Sequence, residues 1–113
     1  MNSDPVRGKT LRWTFGDGVM AGKTYEHAFG TDGTVTWTDA DQKGGQRRPG
    51  DDSTAKYEVE RVNDDVFVVS YLGKSGYALT TVVDSKTGKI VSFASNEKSL
   101  YVQHGRSEEA TAA

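Results

Sequence analysis

Apolar and polar side chains alternate with a period of two in short segments along almost the whole chain, the spacing that sends successive side chains to opposite faces of a β-strand. Lys9 to Phe15 puts Leu11, Trp13 and Phe15 on one face and Arg12 and Thr14 on the other, and Gly16-Asp17-Gly18 ends it in turn chemistry. Thr24 to Phe29 groups Tyr25, His27 and Phe29 against Glu26. Thr31-Asp32-Gly33 then tolerates the positive φ of a tight hairpin, and Thr34 to Thr38 returns with Val35 and Trp37 on the core face. Residues 39 to 54 have no apolar period, mix charges with Gly44-Gly45 and Pro49-Gly50, and read as a long connection or flap.

Alternation resumes at Ala55 to Val62, turns at Asn63-Asp64-Asp65, and continues from Val66 to Leu72. The run Val66-Phe67-Val68-Val69 reads as a central strand buried on both faces. Turns at Gly73-Lys74-Ser75-Gly76, Ser85-Lys86-Thr87-Gly88 and Asn96-Glu97 separate three further strands, Tyr77 to Asp84, Lys89 to Ser95 and Lys98 to His104. Eight short strands joined by hairpin-length connections predict an all-β fold, an antiparallel up-and-down β-barrel that closes to remove its edges. Two packed sheets remain the alternative, because periodicity does not separate them from one closed sheet. Residues 8–104 form a single barrel domain in this reading, residues 1–7 an N-terminal extension, and residues 105–113, which lack an apolar face, a flexible tail that is frayed or weakly helical.

Composition narrows the function classes. With 113 residues there is room for one domain, and its 13 glycines are scattered rather than periodic. Fourteen Lys+Arg against 16 Asp+Glu give a net charge of −2, so no basic surplus exists to hold a nucleic-acid backbone. The chain has no cysteine, which excludes disulfides, thiolate metal sites and cysteine nucleophiles. No apolar run is long enough for a membrane helix, and Met1-Asn2-Ser3-Asp4-Pro5 lacks a signal-peptide layout, so a cytoplasmic protein without membrane partners is expected. The glycines form no phosphate loop, and Ser70, Ser92 and Ser99 sit in no nucleophile elbow.

Gly8-Lys9-Thr10-Leu11-Arg12-Trp13-Thr14-Phe15, Asp17-Gly18, Tyr25-Glu26, Gly33-Thr34-Val35-Thr36-Trp37, and Tyr57 through Val69-Ser70-Tyr71 together resemble the MoaF-like proteins over most of residues 6 to 104. Those proteins are in turn similar to the phenolic acid decarboxylases among the calycin-like barrels. The resemblance implies a calycin/lipocalin-like barrel of eight or nine strands with an internal cavity, often in a homodimer. It does not carry the decarboxylase machinery over. Where that family has two carboxylate-holding tyrosines this chain has Trp13 and Phe15, and where it has a proton-donating glutamate this chain has Gly73. Arg47 or Arg48 is the counterpart of a family arginine in the long connection. The Gly-x-Trp hallmark of lipocalins is absent.

The candidate ligand-binding residues are Trp13, Tyr25, His27, Trp37, Tyr57 and Tyr71 as walls, with Arg47 and Arg48 at the mouth as a grip for an anionic group. The same aromatics are equally what a filled barrel core contains. His27, on the inward face with Tyr25 and Phe29, is the one weak catalytic candidate, an imidazole for proton transfer or ligand hydrogen bonding. His104 shares a face with Leu100 and Val102 at a strand end, where exposure is expected, and Arg61 alternates toward the interior, so it needs an acidic partner or a place at the rim. Two histidines with no obvious paired carboxylate beside either give no metal site, and no cofactor is expected. Three functions stay open: binding of a small hydrophobic or aromatic-acid ligand, a lyase or isomerase acting on such a ligand, and a filled barrel acting through dimerisation or protein partners.

Overall fold

The structure is a computed structural model, and it describes residues 4–39, 54–73 and 76–109. In chain order the strands are β1 (Thr10–Phe15), β2 (Thr24–Phe29), β3 (Thr34–Asp39), β4 (Thr54–Arg61), β5 (Val66–Leu72), β6 (Ala78–Asp84), β7 (Lys89–Ser95) and β8 (Leu100–Glu109), with one 3-10 turn at Gly18–Met20 between β1 and β2. Each strand pairs antiparallel with the next, and β8 pairs back onto β1, which closes the barrel and excludes two separate sheets.

Four hairpins, three of them at one end, use the same local chemistry, a side-chain oxygen accepting backbone N–H groups two or three residues on. Asp32 takes the Thr34 N–H, Asn63 those of Asp65 and Val66, and Asp84 those of Lys86 and Thr87. Asn96, at the opposite end, takes those of Lys98 and Ser99. Gly33 and Gly88 complete their turns at φ of 87° and 80°, backbone that an L side chain rarely adopts.

Strand direction divides the interior into two halves. Leu11, Phe29, Val35, Phe67, Val83 and Ile90 all lie near the strand ends that adjoin the β2–β3, β4–β5 and β6–β7 turns, and they pack there as one buried cluster. Residues 4–7 join this half, which corrects the reading of that part of the chain as an extension: Val6 is fully buried, and Asp4 accepts the Val6 and Arg7 N–H groups and the Tyr57 hydroxyl.

The C-terminal boundary also moves. Residues 105–109, expected as a tail, are the second half of β8 and supply the closing ladder, Phe15↔Gly105 through Leu11↔Glu109. These residues have no apolar alternation because β1 offers them backbone and charge instead. Arg12 lies between Glu26 of β2 at 2.7 Å and Glu108 of β8 at 3.3 Å, and Gly105 fits where any Cβ would run into the Thr14 carbonyl. The run at Val66–Val69 is buried only on its inner face. Val66 and Val68 are half-exposed outside, because a closed barrel has no central strand.

Candidate functional site

The other half of the interior holds a cavity of about 160 Å³. Alternation along β1, β2, β3 and β5 brings Trp13, Tyr25, His27, Trp37 and Tyr71 to it, so five of the predicted wall residues meet in one place. The opposing wall comes from β6, β7 and β8 and is made of small or polar side chains: Thr81, Ser92, Ala94 and Gln103, with Leu79. The space exists because bulky rings on one side face short side chains on the other, a mismatch that close packing leaves unfilled.

The rings are in contact. Trp13 and His27 have centroids 4.1 Å apart, and Trp37 and Tyr71 4.8 Å. The His27 Nε2 and the Tyr71 hydroxyl form a buried 2.8 Å hydrogen bond that joins β2 to β5 across the interior. Burial lowers the His27 pKa to about 3, only partly offset by the nearby backbone of Tyr25, so the imidazole is neutral at physiological pH. Burial, with a smaller contribution from Tyr25, pushes the Tyr71 hydroxyl above its ordinary value. On the far wall the Thr81 and Ser92 hydroxyls satisfy each other at 2.8 Å.

Three polar atoms of cavity-lining residues are buried without a partner: Trp13 Nε1, His27 Nδ1 and Gln103 Oε1. The Tyr25 backbone acts on the His27 ring, while Nδ1 has no hydrogen-bond partner among the described residues. Leaving such an atom unpaired costs about 1–3 kcal/mol, so a cluster of three at one cavity is chemically unfinished.

The connection after β1 lines the outer limit of the cavity with exposed Val19 and half-buried Met20. It lies flat on β8 because residue 18 is glycine, with φ of 76° and a position where a Cβ would sit 2.8 Å from that of Gln103. Asp17 latches it, accepting the His104 N–H at 2.7 Å and facing His104 Nδ1 at 3.1 Å. The backbone bond from His104 holds the Asp17 carboxyl below the usual range.

Tyr57 does not line the cavity. It is inside the barrel but turned toward the N-terminal segment, edge-on to Phe29, and burial together with its bond to Asp4 pushes its hydroxyl up to about 12. Arg61, the last residue of β4, is exposed at the rim and donates to the Asp64 carbonyl. Gly73 follows β5 and donates to the Tyr77 carbonyl. Arg47 and Arg48 lie outside the described residues. Among the described residues no lysine, arginine or carboxylate lines the cavity, and no three His, Asp or Glu side chains converge as metal ligands.

The alternation of β1–β3 pointed to the aromatic wall and put Phe15 on the face of Trp13, but it did not point to Met20 or the small-residue wall. Gln103 is the main omission. The face shared by Leu100, Val102 and His104 is the outer one, and Gln103, 1% exposed, points inward. The signal available was Gly105, two residues on and on the same face, at a position with no room for a side chain.

The model of the family described as MoaF, the MoaF N-terminal domain, matches residues 1–99. No curated protein matches the chain. Among solved structures, a protein from Burkholderia vietnamiensis described as a "putative beta-lactamase" is similar in fold, with a TM-score of 0.69 and 17% identity over 97% of this chain and 100% of that one. The described residues contain no helix long and apolar enough to cross a membrane.

Proposed function

Because the chain belongs to the MoaF N-terminal domain family and its closed barrel holds an aromatic-walled cavity, we propose that it binds a small molecule with a flat apolar body inside the barrel. The observation that carries this reading is the set of three unpaired buried polar atoms on Trp13, His27 and Gln103, gathered at one cavity. A filled core would leave neither the space nor the unsatisfied groups. At about 160 Å³ the cavity matches a compound of one ring, since an apolar cavity of about 150 Å³ accepts benzene.

Binding is favoured over turnover by the state of the candidate acid and base. A proton-transfer group works best with a pKa near the operating pH. His27, at about 3, is too weak a base, the Tyr71 hydroxyl is shifted the opposite way, and glycine occupies position 73. Native mass spectrometry of freshly purified protein against a denatured sample tests the reading, together with quenching of tryptophan emission by single-ring compounds, because Trp13 and Trp37 both line the cavity. A retained small molecule or saturable quenching is expected, and an empty protein insensitive to every ring compound refutes it.

The expected homodimer has one observation in its favour. The outer faces of β5–β8 align Leu72, Ala78 and Leu100 in one row, Phe93 and Val102 in the next, and Val68, Val82 and Val91 in a third. Leu72 and Leu100 are 70% and 72% exposed. Four strands about 4.8 Å apart and about 20 Å long offer a face near 400 Å² per copy, below the roughly 800 Å² per partner of a stable interface. We read a second copy as its occupant in a weak, concentration-dependent dimer. Sedimentation velocity at rising concentration should show reversible dimerisation that Val102→Glu abolishes, and a monomer throughout refutes it.

A further inference from the structure

Resting on the interior-binding reading, we infer that the ligand is an uncharged ring bearing an adjacent hydrogen-bond donor and acceptor, as in a lactam or amino-heterocycle edge, and that Gln103 reads that edge. The Gln103 side chain is 1% exposed and lines the cavity, its Oε1 has no partner, and the described residues give its amide no hydrogen bond. A carboxamide is itself an adjacent donor and acceptor, and it pairs in a bidentate way with the complementary edge of a planar ring, as glutamine does with adenine. Its broad terminal torsion lets the two atoms exchange places, so the oxygen sealed in the free protein can turn to a ligand. Trp13, on the neighbouring strand β1, brings a second unpaired group, its Nε1–H, to the same cavity.

Every described polar side chain at the cavity is uncharged: Thr81 and Ser92 are hydroxyls paired with each other, and the His27 imidazole is bonded to Tyr71 through Nε2. A carboxylate placed there loses its water and gains no counter-charge from the described lining. The neutral edge is therefore favoured over an aromatic acid of equal size, in contrast to the acidic ligand that the arginines of the long connection implied.

The test compares three probes of one size, 2-pyridone, toluene and benzoate, by titration calorimetry and tryptophan quenching on the intact chain and on Gln103→Met. In the unaltered protein, 2-pyridone should bind about tenfold or more tighter than toluene, and benzoate most weakly. Gln103→Met should remove the preference for 2-pyridone while leaving toluene bound, which also shows that the variant is folded. Equal binding of toluene and 2-pyridone, a preference that survives in Gln103→Met, or tightest binding of benzoate overturns this inference and leaves the binding cavity standing. If none of the three binds, the interior-binding reading itself fails.

Discussion

Replacing Gln103 by methionine should stabilise the free protein. The side chain is 1% exposed and its Oε1 is buried with no partner, so folding removes that oxygen from water and returns nothing. The unpaired group costs about 1–3 kcal/mol, and methionine, unbranched and of similar length, replaces it with apolar atoms that flex to fill the site. A net gain of about 1–2 kcal/mol follows, and at about 4–8 °C per kcal/mol for a chain near this size the melting temperature should rise accordingly. Urea denaturation and calorimetry on both proteins without ligand measure it, with the urea slope unchanged. Destabilisation by 1 kcal/mol or more would refute the reasoning, because it would mean that the amide is already hydrogen-bonded in the free protein, for example by an ordered water. A gain in stability paired with loss of ring discrimination is the pattern of a residue kept for recognition.

The buried histidine makes stability pH-dependent. Its folded pKa of about 3 lies below the unfolded value of about 6.5, so the unfolded chain takes up the proton first as pH falls. Stability present above pH 6.5 should drop by about 2–3 kcal/mol by pH 4.5, and His27→Gln should flatten that slope in urea titrations. Tyr71→Phe removes the partner of His27 Nε2 and should cost about 1–3 kcal/mol at pH 7; no change by the same titration would show that this bond is replaced in solution. Gly105→Ala should lose 3 kcal/mol or more, or fail to fold, because its Cβ meets the Thr14 backbone, whereas Gly16→Ala, 3.9 Å from the nearest atom, should stay within about 1 kcal/mol by calorimetry.

The strand order and most strand limits were legible because turn residues and alternation agreed from Leu11 to Ser95. The aromatic wall was legible for the same reason, since Trp13, Tyr25, His27 and Trp37 recur on the inward face of three successive strands. Alternation misled where the barrel inverts the usual rule. In β7 and β8 the outer face carries Val91, Phe93, Leu100 and Val102, and the inner face carries Ser92, Ala94 and Gln103. Hydrophobicity alone reads such strands inside out, and the polar wall of the cavity is hidden with them. Tyr57 was misplaced for a different reason. Alternation gives a side chain's face but not which end of the barrel it leans toward, and that direction was fixed by Asp4, 53 residues away in the chain.

The ladder between β1 and β8 ties the order of folding to the order of synthesis. β1 is among the first strands to leave the ribosome, yet its second edge acquires a partner only when residues 105–109 arrive. For that interval the nascent meander presents a bare edge next to Trp13, the configuration in which chains pair with the wrong neighbour. Because closure joins positions nearly a full chain length apart, it is a slow, late event. Pro5 and Glu109 also lie together on one rim of the barrel, so a linker from the end of β8 to the segment before β1, with the chain reopened at the turn around Lys86, would make β8–β1 a local connection and pass the late closure to β6 and β7. Such a permutant should reach the same barrel with its bare edges at β6 and β7 instead of next to Trp13.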